Sequence, residues 1–358
     1  MWWTYLLLAA GIFMGWSLGT NDAANAFGTA VATGVVKYRT AVTIISILVV
    51  IGAFTMGHQN ITEVASLATN NEVMASESTL AAALLNGTSL NTLVWKSALK
   101  AAIVFACAGL TVFIMSYLKF PVSANQSITG AIIGWGLCYA DYGNAELRAQ
   151  NLGQLGKFSS TWLICPLGAA IISFVIVILF NKLLAKRLTK LTHYDLLVKI
   201  GYLIAGGFAS FSIGMNSSAN VTALYFDSID DGVRTNLLTD ARITALIGGI
   251  AIALGVLTYS RKVMMTVGTS IAPLTQIEGF LVIISMALTI VLMGNIFGIP
   301  VSTSQAVVGA VVGAGLTKGV RQVNFGVFKN IAIAWVSSPL AAGLLTYVVA
   351  LCTRAVFR

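Results

Sequence analysis

The sequence predicts an all-α polytopic membrane protein made of two inverted-topology repeats, with broken helices and two re-entrant hairpins. Three observations carry that prediction. The first is composition. Of 358 residues, 57% are hydrophobic and 9% charged, against about 45–50% and about 25% in a soluble domain, and the mean hydropathy is +0.88. The 21 Lys plus Arg and 12 Asp plus Glu are too few to cover a water-soluble particle of this size. That excludes a soluble enzyme, and the apolar content excludes disorder. The second observation is that apolar runs of about 20 residues recur, the length a helix needs to cross a bilayer. The short alternating segments of a transmembrane barrel do not occur. The third is that two polar motifs inside these runs appear twice, in the same order.

The apolar runs span 3–36, 40–57, 97–118, 120–138, 160–181, 200–226, 242–259, 277–298, 299–317 and 330–353. The net charge of +9 sits between them, so it records membrane orientation rather than nucleic-acid binding. Lys37 and Arg39 place the first turn inside, and the Lys- and Arg-free loop up to Lys96, with Glu63, Glu72 and Glu77, lies outside. The linker 182–199 carries Lys182, Lys186, Arg187, Lys190 and Lys199 and is cytoplasmic. Asp227, Asp230, Asp231 and Asp240 mark an external loop, and Arg261, Lys262, Lys318, Arg321 and Lys329 return to the inside. These placements fit ten crossings with both termini outside. Lys96, Lys100, Arg354 and Arg358 are misfits on the outer side, and 120–138 and 299–317 are short enough to be re-entrant. The run after Met1-Trp2-Trp3 has no basic leader and enters a polar motif, so it reads as a span rather than a cleavable signal. A plasma (inner) membrane location follows.

Five runs on each side of a basic linker is an odd number, and homologous halves with an odd number of crossings insert with opposite orientation. The domain reading is a first repeat at 1–181, a linker at 182–199 and a second repeat at 200–358. Ser17-Leu18-Gly19-Thr20-Asn21-Asp22-Ala23-Ala24-Asn25 matches Ser212-Ile213-Gly214-Met215-Asn216-Ser217-Ser218-Ala219-Asn220 at Ser, Gly, both Asn and the Ala before the second Asn. Pro121-Val122-Ser123-Ala124-Asn125-Gln126-Ser127 matches Pro300-Val301-Ser302-Thr303-Ser304-Gln305-Ala306, and Gly130, Gly134 and Gly136 register with Gly309, Gly313 and Gly315.

Each motif has a chemistry. Gly19 and Asn21 weaken a helix, so an unwound backbone is expected there. Its carbonyls, together with Asn21, Asp22 and Asn25 and their counterparts Asn216, Ser217 and Asn220, form an oxygen set suited to Na⁺. An ionisable residue inside a span points to function, whereas the bland alternative is interhelical hydrogen bonding by the two Asn. The Pro-Val-Ser element starts a helix with Pro and a capping Ser. A half-helix beginning there directs free N–H groups and a positive dipole end inward, which is an anion site. Ser123, Asn125, Gln126, Ser302, Thr303, Ser304 and Gln305 supply further polar groups. A plain Pro-Ser turn with packing glycines is the competing reading, and duplication argues against the bland reading at both places.

Other residues are read as ordinary. Cys107, Cys138, Cys165 and Cys352 are small core residues with no metal or redox spacing. His58 and His193 lie in loops, and Trp2, Trp3, Trp95 and Trp162 form an interfacial belt. Glu278 is a boundary residue. Asn60 and Asn86 open Asn-x-Thr triplets in the outer loop. No His-Glu-x-x-His or Gly-x-Ser-x-Gly context supports an enzyme, and no cofactor is implied.

Gly19-Thr20-Asn21-Asp22-Ala23-Ala24-Asn25-Ala26 resembles the G-x-N-D-x-A-N-A signature of the inorganic phosphate transporter (PiT) family. Pro300-Val301-Ser302-Thr303-Ser304-Gln305-Ala306, ending in Gly309-Ala310, resembles its P-V-S-T-T-x-A-x-x-G element. The resemblance covers both halves. It implies a secondary transporter with inverted repeats, re-entrant hairpins and a central anion site, importing phosphate with Na⁺ (or H⁺) as coupling ion. It assigns Asn21, Asp22, Asn25, Asn216 and Asn220 to cations, and Ser123, Gln126, Ser302, Thr303, Ser304 and Gln305 to the anion. A homodimer in the bilayer is common for such folds. Where the family's second signature has Asp, this chain has Ser217, and Ala124-Asn125 stand where hydroxyls are usual. A sulfate permease, one branch of the family, is the alternative, because sulfate carries no proton for a carboxylate to accept. An uncoupled anion channel is a further one.

Overall fold

Where described, the apolar runs fold mainly as helix. The structure, a computed structural model, describes residues 2–57, 68–69, 73, 90–139, 145–183, 191–227, 241–290, 292–293 and 301–357. The helices are α1 (Trp2–Ala32), α2 (Tyr38–Met56), α3 (Leu90–Tyr117), α4 (Ala124–Tyr139), α5 (Ala145–Leu183), α6 (Leu191–Asp227), α7 (Ala241–Tyr259), the short α8 (Arg261–Met265), α9 (Gln276–Thr289), α10 (Thr303–Leu316) and α11 (Phe325–Phe357). Among the described residues, six helices are long and apolar enough to cross a membrane. Their outer faces carry apolar side chains such as Ile47, Leu163, Leu167, Ile204, Leu340 and Leu344, as a body solvated by lipid requires. α4 and α10, at 16 and 14 residues, are too short to span about 30 Å of hydrocarbon at 1.5 Å per residue.

The expected break in the first and sixth runs does not occur. α1 is continuous through Gly19–Asn25 and α6 through Gly214–Asn220. An opened turn would expose backbone groups that lipid cannot satisfy. The polar side chains instead leave an intact helix sideways and find partners on neighbouring elements. His193 also differs from expectation, lying within α6 rather than in a loop. Of the cysteines, Cys107 and Cys165 are buried, Cys138 is half-buried and Cys352 is exposed rather than internal. His58, Asn60, Asn86, Pro300, the Glu-bearing stretch before Leu90 and the Asp-rich loop after Asp227 lie outside the described residues.

The Tyr38 hydroxyl lies 3.2 Å from the Ser260 hydroxyl, and the Arg261 guanidinium stands 5.8 Å from the Tyr38 ring. Glu278 is buried near the start of α9. It closes a capping box with Thr275 at the start of α9 and pairs with Lys318 at 2.6 Å.

Helices touch most closely at glycine, in a reciprocal pattern. On α1 and α7, a Cβ at Gly19 would collide with the Ile252 carbonyl, and one at Gly255 with the Trp16 carbonyl. The same exchange occurs between α2 and α6: Gly52 meets the Phe211 carbonyl and Gly214 the Val49 carbonyl. α4 packs on α11, with Gly130 against Pro339 and Gly134 against Gly343. α10 packs on α5, with Gly309 against Pro166 and Gly313 against Ala170. Each of these contacts joins a helix before residue 184 to one after residue 190, and each has a counterpart with the two roles exchanged. Small residues permit this backbone-on-backbone approach in a lipid-solvated bundle.

Gly130→Val or Gly309→Val should force these helices apart at a cost of about 1–3 kcal/mol, lowering the midpoint of thermal unfolding in detergent. Gly156→Ala is the control: among the described residues a Cβ there would meet nothing within 4 Å beyond its own helix, and its midpoint should hold or rise slightly because alanine favours helix.

Candidate functional site

Four elements converge on one polar centre. α1 contributes Asn21, Asp22 and Asn25. α6 contributes Asn216, Ser217 and Asn220. The start of α4 brings Ser123, Asn125 and Gln126, and the start of α10 brings Ser302, Thr303, Ser304 and Gln305. Both short helices begin here, after extended segments ending at Ser123 and Ser302. Ser302 is the N-cap of α10, its Oγ accepting the Gln305 N–H at 3.3 Å. The sequence places Ser at that position for this purpose: a capping hydroxyl satisfies one of the N–H groups a helix start leaves open.

Asp22 is the electrostatic centre. It is 3% exposed, and its carboxylate accepts from Ser217 Oγ at 3.2 Å, Asn25 Nδ2 at 3.3 Å and Ser304 Oγ at 3.4 Å. These donors come from α1, α6 and α10, so one carboxylate ties both halves. Asn25 Nδ2 also reaches Thr303 Oγ1 and Ser304 Oγ, each at 3.1 Å. The carbonyl oxygen of Asn25 is buried and has no partner among the described residues.

Two adjoining cavities open at this centre. One encloses about 200 Å³ and is lined by Asp22, Ser123, Ala124, Asn125, Asn216, Ser217, Ser302, Thr303 and Ser304. The other, about 270 Å³, is lined by Ser123, Asn125, Gln126, Thr129, Thr161, Trp162, Val301 and Ser302. They share Ser123, Asn125 and Ser302. Among the described residues neither is lined by Lys or Arg, so attraction for an anion would come from helix starts, hydroxyls and amides.

Nine of the thirteen residues singled out in the sequence line these cavities. The other four stand behind them. Asn21 Nδ2 donates to Ser116 Oγ at 2.9 Å and to the Phe120 carbonyl at 3.0 Å, and its Oδ1 accepts the Val122 N–H at 3.0 Å. It fastens the α3–α4 connection onto α1. Asn220 donates its amide to Asn125 Oδ1. Asn25 binds the α10 tip as described. With the Gln126 amide turned to the orientation that satisfies its neighbours, Gln305 Nε2 donates to the Gln126 carbonyl at 2.9 Å, so equivalent residues of the two tips join directly.

Three participants were not read from the sequence as site residues. Ser116 supports Asn21. Trp162, expected in the interfacial belt, instead donates its indole N–H to the Gln126 carbonyl at 3.2 Å. Trp335 donates to the Pro121 carbonyl at 3.0 Å and accepts from the Gln126 amide at 3.2 Å. A signal for both tryptophans exists. Trp162-Leu163-Ile164-Cys165-Pro166-Leu167 and Trp335-Val336-Ser337-Ser338-Pro339-Leu340 share a W-x-x-x-P-L pattern, a third duplicated motif. Its proline carbonyls are the ones that meet Gly309 and Gly130.

Known proteins resemble this chain over nearly its whole length. A candidate phosphate permease of Pyrococcus abyssi is 27% identical over 418 residues, covering 97% of each chain. Inorganic phosphate transporter 2-1 of Arabidopsis thaliana, a chloroplast protein, is 25% identical over 95% of this chain and 70% of its own length. Among solved structures, a sodium-dependent phosphate transporter superposes with a TM-score of 0.73 at 25% identity, covering 99% of this chain and all of that one. The family model described as the phosphate transporter family matches residues 18–346, and the chain is therefore an integral, multi-pass membrane protein that belongs to that family.

Proposed function

We propose that this protein imports inorganic phosphate in symport with Na⁺, the anion resting between the α4 and α10 tips and the cation at Asp22. Units 1–181 and 200–358 act as inverted repeats joined by the basic linker 182–199, and the two tips are re-entrant hairpins. Ser123, Asn125, Gln126, Ser302, Thr303, Ser304 and Gln305 form the anion side. Asn21, Asp22, Asn25, Asn216, Ser217 and Asn220 form the cation side, with Asn21 acting through the connection it fastens. The apolar outer faces take lipid, and a homodimer would bury part of one of them.

The carrying observation is that Asp22, almost wholly buried, lines the same cavity as both helix starts. A carboxylate there would repel an anion. Two like unit charges about 5 Å apart cost about 3 kcal/mol at an effective dielectric of about 20. A cation between them converts that repulsion into mutual attraction, so neither ligand binds well without the other. This is coupling in the thermodynamic sense. The sodium-dependent phosphate transporter of similar fold supports Na⁺ as the cation. Asp22 also supports phosphate over sulfate. Phosphate at neutral pH retains a P–OH that a carboxylate can accept, and sulfate has no such proton.

The test is uptake of radiolabelled phosphate and sulfate into proteoliposomes under imposed Na⁺ or proton gradients. Phosphate should accumulate against its own gradient only when Na⁺ drives it. Passive equilibration would indicate an anion channel, and preferential sulfate uptake the sulfate branch. Asp22→Asn should abolish sodium-driven uptake while the protein still purifies folded; unchanged uptake would remove Asp22 from the mechanism. Ser302→Ala removes a cap worth about 0.5–2 kcal/mol together with an anion donor. It should raise the phosphate concentration at half-maximal uptake several-fold, and an unaltered value would count against the α10 tip.

A further inference from the structure

At one end of the bundle, cations from three separate stretches of chain stand together without acidic partners. Arg261 and Lys262 lie in α8, and each faces a tyrosine of a different helix. The Arg261 guanidinium is 5.8 Å from the Tyr38 ring at the start of α2, and Lys262 Nζ is 4.9 Å from the ring of Tyr117 at the end of α3. Lys262 Nζ also donates to the Tyr259 hydroxyl at 2.7 Å. Lys37 and Arg39 flank Tyr38, and Lys119 lies two residues beyond Tyr117. Five cations therefore lie at, or within two residues of, these contacts. The charge distribution reads this side as cytoplasmic. Among the described residues, no carboxylate pairs with any of the five. Lys318, by contrast, has Glu278.

The helix faces that lead to this cluster are apolar and turned outward. On α7, Ile250, Leu254 and Leu257 are 46–48% exposed, and their spacing of three to four residues puts them on one helix face. Arg261, also exposed, is the next position in that spacing. On α3, Leu110 and Ile114 are exposed in the same way and lead to Tyr117 and Lys119. Each stripe runs from lipid-solvated surface into an aromatic and basic margin. Tyrosine belongs at the headgroup level, and its ring face attracts and so orients a cation. What this margin lacks is negative charge. An anionic phospholipid supplies it in the required order, with acyl chains on the stripes and phosphate at the cations; basic clusters between helices at the cytoplasmic end suit such headgroups. A zwitterionic lipid would fill the stripes but bring its own positive charge to the cations. A soluble anion would meet the cations and leave the stripes unused.

We propose that the margin where α2, α3, α7 and α8 meet binds an anionic phospholipid of the cytoplasmic leaflet, its phosphate on Arg261 and Lys262 and its chains along Ile250, Leu254 and Leu257. None of these residues lines the central cavities, and the proposal does not depend on the sodium–phosphate reading. The two regions connect at one point: Tyr117 and Lys119 lead into Phe120, whose carbonyl Asn21 holds, so the lipid would steady the root of the α4 tip. The purified protein in detergent is titrated with phosphatidylglycerol or with phosphatidylcholine of identical chains while the midpoint of thermal unfolding is followed. Phosphatidylglycerol should raise the midpoint by several degrees more than phosphatidylcholine, and Arg261→Gln together with Lys262→Gln should remove the difference. Lys96→Gln with Arg354→Gln, the same change in charge near the start of α3 and in the last turn of α11, should keep it. No difference in the wild type, or one that survives in the Arg261–Lys262 double variant, overturns the proposal. So does an equal rise from glycerophosphoglycerol, the same headgroup without chains, which would mark a soluble-anion site. A phosphatidylglycerol with a photoactivatable chain gives a second measurement on the wild type, which decides the matter should the double variant not fold. Crosslinks should concentrate on residues 250–262 and be displaced by unlabelled phosphatidylglycerol but not by phosphatidylcholine; crosslinks spread evenly over the outer faces overturn the proposal.

Discussion

One carboxylate inside a body with almost no charge governs how the centre of this protein is put together. Asp22 is enclosed by helices whose side chains are mostly apolar, and an ionised group there survives only if donors or a cation compensate it. The nearby elements are arranged to supply donors. Ser217 reaches it from α6, Ser304 from the start of α10, and Asn25 from one turn along α1. Each donor belongs to a segment whose position depends on other contacts, so the demand of a single charge propagates into the placement of three elements. The α4 tip is fixed by a second route, through the Asn21 clasp and the Asn220–Asn125 pair.

Two kinds of contact divide the structural work. At the reciprocal crossings, glycine lets backbone lie on backbone, and such contacts have no room to slide. At the centre, the halves meet through side-chain hydrogen bonds, each worth a net of about 0.5–1.5 kcal/mol. The Gln126–Gln305 bridge joins the two tips, and the Trp162 and Trp335 indoles hold the first tip at Gln126 and Pro121. A hydrogen-bonded seam can exchange partners with water or a bound ion at little cost, whereas a glycine crossing cannot part without opening a void. Any movement of the α4 and α10 tips against α1 and α6 would therefore fall at the polar seam and not at the crossings.

Much of this was legible in the sequence, for a physical reason. Inside an apolar run a polar residue must be explained, so Asn21, Asp22 and Asn25 stand out, and a duplicated pattern identifies the partners that will face them. The half-length of α4 and α10 follows from Pro-Val-Ser at each start. Local reasoning misread the backbone. Gly19 and Asn21 have low helix propensity, yet α1 remains helical because an apolar surrounding penalises an open turn far more than propensity does. At Gly19 the glycine answers a need for close approach to Ile252, not for an unusual backbone conformation. The tryptophans were obscured by a strong prior: a Trp near the end of an apolar run is ordinarily interfacial. Only the pairing of Trp162-x-x-x-Pro166 with Trp335-x-x-x-Pro339 separates them from that background.

Duplication also explains how such a site can become unequal without losing its frame. The crossings that set the geometry are made by glycines, prolines and backbone carbonyls, and they are present on both sides. The polar positions are separate residues on the same helices, so one of them can change while the frame holds. In α6 the residue equivalent to Asp22 is Ser217, which keeps a hydrogen bond across the centre but brings no charge. A second buried carboxylate at that position would lie close to the first, and the pair would need another cation, or a shared proton, to coexist. Serine removes that requirement while retaining a donor for Asp22 Oδ2. The serine on α6 thus supports the carboxylate on α1.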